Sequence, residues 1–411
     1  MTLEESFRRL WHELEPIGRN QLTGGYDRFA WTPVDDELRG WFRAQAEQRD
    51  MAVVDDRNGN QWAWWGEPGP GAIVTGSHLD SVPDGGAYDG PLGVVSAFLA
   101  IDELRAELRA GRQSVAPARP IAVVRFADEE GTRFGVACIG SRLLTGALEP
   151  ERARGLRDAD GVTLADAMRA AGTAPEHLGR DDEALARIGA FVELHVEQGR
   201  ALVDVPAPVG VATIVRPHGR WRLSFRGEAN HAGTTRLADR HDPTLPFAFA
   251  VQAARAAAEA AGALATIGKV RVEPGGTNAI AAEVHAWLDA RAPDDAALRS
   301  IVAKIVTRAE RCADQHGVTL EVVKESYTPV VEFDPSLRDR LRKILCARLG
   351  APALASGAGH DAGILAAVVP SAMLFVRNPT GASHTPAETA ELDDCIAGVR
   401  ALRAVLEDLA C

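Results

Sequence analysis

Four short stretches of the chain combine residue types that could carry hydrolytic chemistry. The first is Gly76-Ser77-His78-Leu79-Asp80-Ser81-Val82, followed by Gly85-Gly86-Ala87-Tyr88-Asp89-Gly90. A histidine that binds a metal needs an acceptor on its other ring nitrogen to fix tautomer and orientation, and Asp80 is the candidate. The glycine-rich turn then returns Asp89 to the same place. The second stretch is Ala127-Asp128-Glu129-Glu130-Gly131. Two-metal hydrolysis needs one carboxylate on a metal and another free to take a proton from water. Neighbouring acids at a strand end can do both. The third is Glu193-Leu194-His195-Val196-Glu197-Gln198-Gly199, and the fourth is Gly381-Ala382-Ser383-His384-Thr385-Pro386-Ala387-Glu388. Each has an ordinary reading when taken singly: a solvated loop, a surface acid pair, a packed histidine. Together, His78, Asp89, Glu130, His195 and His384 make a nitrogen and oxygen ligand set without thiolate. Such a set suits Zn, Mn, Co or Ni.

The elements that must position these residues are short apolar runs: Ala72–Thr75, Ile121–Phe126, Ala190–Leu194 and Met373–Val376. Their length and composition predict buried parallel strands, with helical patterns such as Val94–Leu108 between them. Polar residues follow each run at once. Open α/β sheets bind ligands at the carboxyl ends of their strands, so the clusters fall where such a fold puts its site.

The middle of the chain changes character. Trp221, Leu223 and Phe225 alternate with Arg220, Arg222, Ser224 and Arg226, which predicts a half-exposed strand. A helix over roughly Thr244–Ala265, a strand Val284–Arg291, a helix near Asp294–Gln315 and a strand near Val318–Val323 complete a β-α-β-α-β order. This predicts a smaller α+β domain, 209–326, with one antiparallel sheet and helices on one face. It would be inserted into a catalytic domain formed by 1–208 and 327–411. Val205-Pro206-Ala207-Pro208 would lead out and Tyr327-Thr328-Pro329 would lead back. Ala229-Asn230-His231-Ala232-Gly233-Thr234-Thr235, Gly275-Gly276-Thr277-Asn278-Ala279 and Arg291 are its candidates for binding. An arginine can clamp a carboxylate bidentately. Ordinary turn chemistry for Asn278 and a surface charge for Arg291 are the plainer readings. His360, in Gly357-Ala358-Gly359-His360-Asp361, either lines the site or stabilises a glycine turn.

Composition narrows the function. The 411 residues call for two domains rather than one core. The net charge of −12 argues against nucleic acid and anionic membrane as partners. No run reaches the roughly 20 apolar residues of a membrane span. The N-terminus, MTLEESFRRLWHELE, reads as an amphipathic surface helix and not a secretory signal, so the cytoplasm is the expected compartment. Five scattered cysteines without a C-x-x-C pair argue against a disulfide framework or a thiolate zinc site.

The ordered motifs GSHLDSVPDGGAYDG, ADEEGTRFG, ELHVEQG, GEANHAGTT, LDAR, GAGHDA and GASHTPAE resemble those of the amidase/hydantoinase/carbamoylase branch of the metallopeptidase-like amidohydrolases. The resemblance covers nearly the whole chain. It implies that His78 and His195 bind one divalent ion, that Glu130 and His384 bind a second, and that Asp89 bridges them. Glu129 would be the general base and Asp80 the partner of His78. His231 would reach a substrate oxygen in the site of a second subunit, since the inserted domain of this family dimerises. Gln198, His218, Asn278, Arg291 and Gly359 would hold the substrate, with Arg291 on its carboxylate. The implied reaction is hydrolysis of a ureido (carbamoyl) C–N bond in a small carboxylate, allantoate first and N-carbamoyl-L-amino acids second. An aminoacylase or dipeptidase is disfavoured by His195. A non-catalytic binding protein would lack a ligand or the base, and none is missing. The chain departs from the family pattern at Arg236-Leu237, at Arg240-His241-Asp242 and in the turn GGTNAIAAEV. All three departures lie in the inserted domain, where they bear on substrate more than on metal chemistry.

Overall fold

The computed structural model describes residues 1–111 and 116–411. It divides into two compact units, Met1–Ile214 with Glu332–Cys411, and Val215–Val331.

The first unit is built on a nine-stranded mixed sheet. Its strands are β1 (Ala52–Asp55), β2 (Gln61–Trp65), β3 (Ala72–His78), β4 (Ile121–Phe126), β5 (Ile188–Val196) and β6 (Val209–Val215), with β13 (Val331–Glu332), β14 (Ala353–Ser356) and β15 (Ser371–Val376) from the end of the chain. The order is β1-β2-β4-β3-β5-β15-β6-β13, and β14 also pairs with β6. The four central strands β4, β3, β5 and β15 are mutually parallel. Their residues are almost all buried. Burial on both faces is why they read as continuous apolar runs and not as alternating ones. Helix Pro91–Arg109 buries Leu92, Val95, Phe98, Leu99 and Ile101 against this sheet, together with helix Leu392–Ala410. β3 and β5 run further than their apolar cores, so His78 and His195 lie on the strands themselves.

The second unit holds β7 (His218–Arg226), β8 (Asn230–His231), β9 (Leu264–Glu273), β10 (Ala279–Ile280), β11 (Glu283–Arg291) and β12 (Thr319–Thr328). Four of these form an antiparallel sheet in the order β12-β7-β11-β9, and β8 and β10 form a short ribbon. In β11, Val284, Leu288 and Ala290 face helices Thr244–Ala261 and Asp295–Gln315, packing with Ala250, Ala254, Leu298, Ile301 and Ile305. The alternate residues Glu283, His285, Trp287, Asp289 and Arg291 are half-buried on the other face.

Two expectations change here. The alanine-rich helix ends at Ala261, because Gly262 takes a left-handed C-cap with φ +58°. The next residues form β9, a strand absent from the expected order, so the unit runs β-α-β-β-α-β. Its exposed edge position leaves little alternation to read. The chain also does not leave the large sheet after Pro208. β6 pairs antiparallel with β15, placing Val211 opposite Leu374, before the chain enters the second unit. On the way back, Tyr327 and Thr328 are still in β12. No helix among the described residues is long and apolar enough to cross a membrane.

Arg125 of β4 is fully buried, and its guanidinium pairs with the buried carboxylate of Asp35 on helix Pro33–Glu47. Asp35 also accepts the Trp31 N–H at 2.9 Å. Removing one partner of a buried pair leaves an uncompensated charge and costs about 3–5 kcal/mol. Asp35→Ala should therefore lower the denaturation midpoint sharply, and adding Arg125→Met should recover part of the loss. Equal midpoints for Asp35→Ala and wild type in a urea titration would show that the pair contributes nothing.

Candidate metal centre

The cluster residues meet at the carboxyl edge of the central strands. His78 ends β3. Glu129 and Glu130 follow β4. His195 is the penultimate residue of β5, and His384 lies in the loop after β15. Asp89 stands just before helix Pro91–Arg109, where the positive end of the helix dipole favours a carboxylate. All of these belong to the first unit.

Asp89 is the centre of the arrangement. Its Oδ1 lies 3.0 Å from His195 Nε2 and 3.5 Å from His78 Nε2. Its Oδ2 lies 3.4 Å from His384 Nε2, and Glu130 Oε2 is 3.6 Å from that same nitrogen. Three groups of ligand atoms gather within 4.8 Å among the described residues: Glu193, His195 and His360, and two around Asp89, namely His78, Asp89 and His195, and Asp89, Glu130 and His384. Asp89 is common to the last two.

The rings are oriented from behind. His195 Nδ1 faces the Val196 carbonyl at 2.8 Å, and His78 Nδ1 faces the Asp80 carbonyl at 3.1 Å. A carbonyl only accepts, so each Nδ1 carries a proton, and each ring in its neutral form would turn an Nε2 lone pair toward Asp89. Both Nε2 atoms are buried and face Asp89 without a well-aligned hydrogen bond. Buried polar atoms without a good hydrogen bond are rare and call for an explanation. A divalent cation beside Asp89 is one that fits both nitrogens and the carboxylate.

Electrostatics point the same way. Burial pushes the Glu130 carboxyl up to about 7, and the neighbouring Asp89 charge adds to it. Burial holds Glu129 well above the usual carboxylate range against the pull of His78, and Glu130 reinforces the rise. Burial also raises Asp128 and Asp361, with Asp80 and Glu193 respectively as the main charges. Burial pushes Asp89 up as well, but His195, His384 and His78 outweigh it and hold Asp89 well below that range. The hydrogen bond to Asp89 raises His384 to about 9. So many buried acids can share one site as anions only with added positive charge, which bound divalent ions supply.

The loop carrying Asp89 is held by a residue that the sequence reading left without a role. Glu388 Oε1 accepts the N–H groups of both Tyr88 and Asp89 at 2.9 Å. The nearby glycines are explained by close approach. A Cβ on Gly86 would fall 2.4 Å from Glu388 Oε1, and one on Gly90, where φ is +86°, would fall 2.6 Å from the His78 ring. Glu388 follows His384 by four residues, and that spacing was the only available hint.

Asp80 does more than face His78. Its Oδ1 is 3.5 Å from His78 Nδ1, while its carboxylate accepts the N–H groups of Glu129 at 3.2 Å and Glu130 at 2.9 Å. It therefore ties the end of β3 to the acid pair after β4. Glu129 is buried, with Oε2 3.8 Å from His78 Nε2. Gln198, expected to touch substrate, donates from Nε2 to Asp89 Oδ2 at 2.7 Å and lies 3.2 Å from His384 Nε2. Gly359 is exposed, and a Cβ there would meet nothing within 4 Å. His360 meets both of its readings: it gathers with Glu193 and His195 within 4.8 Å, and it reaches the glycine turn through Ser356, whose Oγ accepts the Ala358 N–H. Its buried ring stands edge-on to His195 with centroids 4.6 Å apart, and its Nε2 meets Ser356 Oγ at 3.0 Å. Glu193, also without a role in the sequence reading, is fully buried and accepts from Ser77 Oγ at 2.7 Å and the Ala362 N–H at 2.9 Å.

The candidates of the second unit form two pairs. His218 and Arg291 lie opposite each other in the β7–β11 register. Arg291 Nε donates to Asp289 Oδ1 at 3.0 Å, and burial draws the His218 imidazole down, with the Arg291 charge adding to the effect. His231 and Asn278 share the β8–β10 ribbon, where the Ala232 N–H donates to the Asn278 carbonyl at 3.0 Å. His231 Nδ1 accepts from Gly233 at 3.0 Å and Thr234 at 3.2 Å, so the neutral ring carries its proton on Nε2 and offers a donor to solvent. The ribbon lies past the Arg226 end of β7. The eight rises from His218 to Arg226 alone span roughly 27 Å. The two pairs therefore sit at opposite ends of the sheet.

Residues 74–408 match Peptidase family M20/M25/M40. The chain belongs to this family. It is an amidohydrolase, as its relatives are. It is 34% identical to the N-carbamoyl-L-amino acid amidohydrolase of Geobacillus stearothermophilus, with 96% of each chain covered. It is 33% identical to the allantoate amidohydrolase of Escherichia coli, over 94% of this chain and 93% of that one. The structure superposes with a TM-score of 0.86 on a crystal structure of an amidase of the hydantoinase/carbamoylase family from Burkholderia vietnamiensis. The two are 29% identical, with 98% of this chain and 97% of that chain covered.

The contact between Gly90 and the His78 ring yields a test. Gly90→Ala strains a left-handed residue by about 1–3 kcal/mol and pushes the ring off its place. Metal content after dialysis against limiting Zn or Mn should fall relative to wild type. Unchanged stoichiometry and affinity would show that the glycine does not hold the ligand in position.

Proposed function

We propose that the protein hydrolyses the terminal ureido (carbamoyl) C–N bond of a small carboxylate, allantoate or an N-carbamoyl-L-amino acid, with two divalent ions per subunit. The observation that carries this reading is the pair of ligand sets sharing Asp89, with the separate buried acid Glu129 beside them. His78, Asp89 and His195 would hold one ion, and Asp89, Glu130 and His384 the other. Bound there, the ions would act as Lewis acids and lower the pKa of a shared water toward neutral. The ligands are imidazole and carboxylate only, a set that accepts Zn, Mn, Co or Ni.

In this reading Glu129 takes the proton from water at Oε2 and passes it to the leaving nitrogen. Asp80 fixes the backbone of both acids, and Gln198 orients the Asp89 carboxylate. His231, with its proton on Nε2, donates to the oxygen that becomes anionic; one such donor is typically worth about 3 kcal/mol. Arg291, beside His218, takes the remote carboxylate, with Asn278 and the exposed turn at Gly359 as further substrate contacts. Both substrate classes carry a carboxylate near the ureido group, so Arg291 does not separate them. Allantoate, the first expectation from sequence, and N-carbamoyl-L-amino acids each have a relative of this chain bearing their name, at 33% and 34% identity.

A second copy of the chain belongs to this reading. A small ureido carboxylate is shorter than the distance between the His218–Arg291 and His231–Asn278 ends of the sheet, so one copy cannot apply both to one substrate. Strand β9 is an unpaired edge carrying exposed Leu264, Val270 and Val272, and helix Thr244–Ala261 exposes Leu245, Phe249 and Val251. Exposed apolar edges of this kind favour association. We place the homodimer interface there, and the protein in the cytoplasm, where the thiols of its five scattered cysteines would stay reduced.

Ammonia release from allantoate and from a panel of N-carbamoyl-L-amino acids, run on metal-reconstituted enzyme, tests the substrate class. Turnover of simple N-acyl amino acids with neither ureido class would refute it. Glu129→Gln should lower kcat by about 10²–10⁴, and an undiminished rate would remove Glu129 as the base. Val270→Lys should give a monomer in sedimentation velocity and lose activity together with the dimer. A fully active monomer would sink the shared-site reading.

A further inference from the structure

The residue most closely fitted to Glu129 is a cysteine to which neither motif nor mechanism gives a role. Cys138 lies at the start of helix Ile139–Thr145 with φ +58°, a conformation uncommon outside glycine. Three successive N–H groups fasten this turn to the acid pair. Cys138 donates to the Glu129 carbonyl at 2.6 Å, Ile139 to that of Asp128 at 3.0 Å, and Gly140 to that of Ala127 at 2.9 Å. The backbone thus dictates where the cysteine side chain goes. Its Sγ lies 3.2 Å from Glu129 Oε1, and the residue is 3% exposed. The second oxygen, Oε2, is the one directed toward His78.

We propose that Cys138 is a positioning residue for proton transfer, its S–H holding Glu129 Oε1 so that Oε2 is presented to the reacting water. The proposal rests on the reading of Glu129 as the base. A carboxylate that must accept a proton in one direction gains from having its other oxygen anchored, because general-base catalysis depends on geometry before basicity. A thiol suits the task, since S–H is a weak donor. It sets the direction of the carboxylate while withdrawing little of the charge that makes it a base. Burial pushes the thiol well up, and the Glu129 and Asp361 charges reinforce this, so the group stays a donor.

The test uses full-length, metal-loaded Cys138→Ala and Cys138→Ser enzyme, assayed for ammonia release from whichever ureido carboxylate turns over. Cys138→Ala should lower kcat by about tenfold, a fraction of the whole general-base contribution. KM should stay within about twofold of wild type, and metal stoichiometry should be unchanged. Cys138→Ser, which keeps a donor, should return kcat to within about threefold of wild type. In a Glu129→Gln background the alanine change should have almost no further effect, because the group it acts through is gone. Wild-type kcat in Cys138→Ala overturns the proposal. So does an equal loss in the serine and alanine variants, or a tenfold loss repeated in the Glu129→Gln background. A fall in metal content or melting temperature that accounts for the lost rate assigns the thiol to structure and overturns it as well. Glu129→Gln alone separates the two readings. An inactive Glu129→Gln with an unimpaired Cys138→Ala removes only the thiol's role, whereas an active Glu129→Gln removes the base and the thiol's role with it.

Discussion

The convergence of three imidazoles on one buried carboxylate is the interaction on which the rest of the site depends. Asp89 receives His78 and His195 at one oxygen and His384 at the other. A carboxylate in that position must be held rigidly, because its two oxygens face two different groups of candidate ligands. The fold supplies the rigidity from several directions. Glu388 clamps the Asp89 and Tyr88 N–H groups, Gln198 donates to Oδ2, and the long buried helix beginning at Pro91 stands behind. The glycines of the loop are needed because the His78 ring and the Glu388 carboxylate occupy the space that a side chain would take.

Around Asp89 the protein concentrates more acid than a protein interior tolerates unaided. Glu129, Glu130, Asp128 and Asp361 are all pushed upward, with burial the leading cause in each case. A hydrophobic core would pack such a sheet edge at lower electrostatic cost. Retaining the acids makes physical sense if cations accompany them, since cations turn the mutual repulsion into coordination. The same crowding keeps a further acid, Glu129, close to the candidate ligands.

The second unit shows a different logic. Its core is ordinary, with helices on one face of an antiparallel sheet. Its polar residues are spread along the sheet in two pairs at opposite ends. What holds a pair together is register: Arg291 meets His218 because β7 and β11 align residue for residue, and His231 meets Asn278 because the ribbon pairs Ala279 with His231. A slip of one residue between β7 and β11 would turn His218 or Arg291 to the helix-covered face.

Much of this was legible in the chain itself. The doubly buried strands β3, β4, β5 and β15 are uninterrupted apolar runs, and His78, Glu129, Glu130 and His195 fall at their carboxyl ends because hydrophobicity is a local property of the sequence. Strand β9 was not legible. An exposed edge strand after an alanine-rich helix has little burial to write into its pattern, and one left-handed glycine decides where the helix stops. β6 was missed because its place in the large sheet comes from pairing with β15, more than 150 residues later. The ligand types could be listed from sequence, and the family resemblance already divided them into two sets through Asp89, but the distances that bring them together required coordinates. The same holds for Glu388, Glu193 and Cys138. Each makes a contact that depends on how strands and loops are brought together, and spacing along the chain does not give that distance.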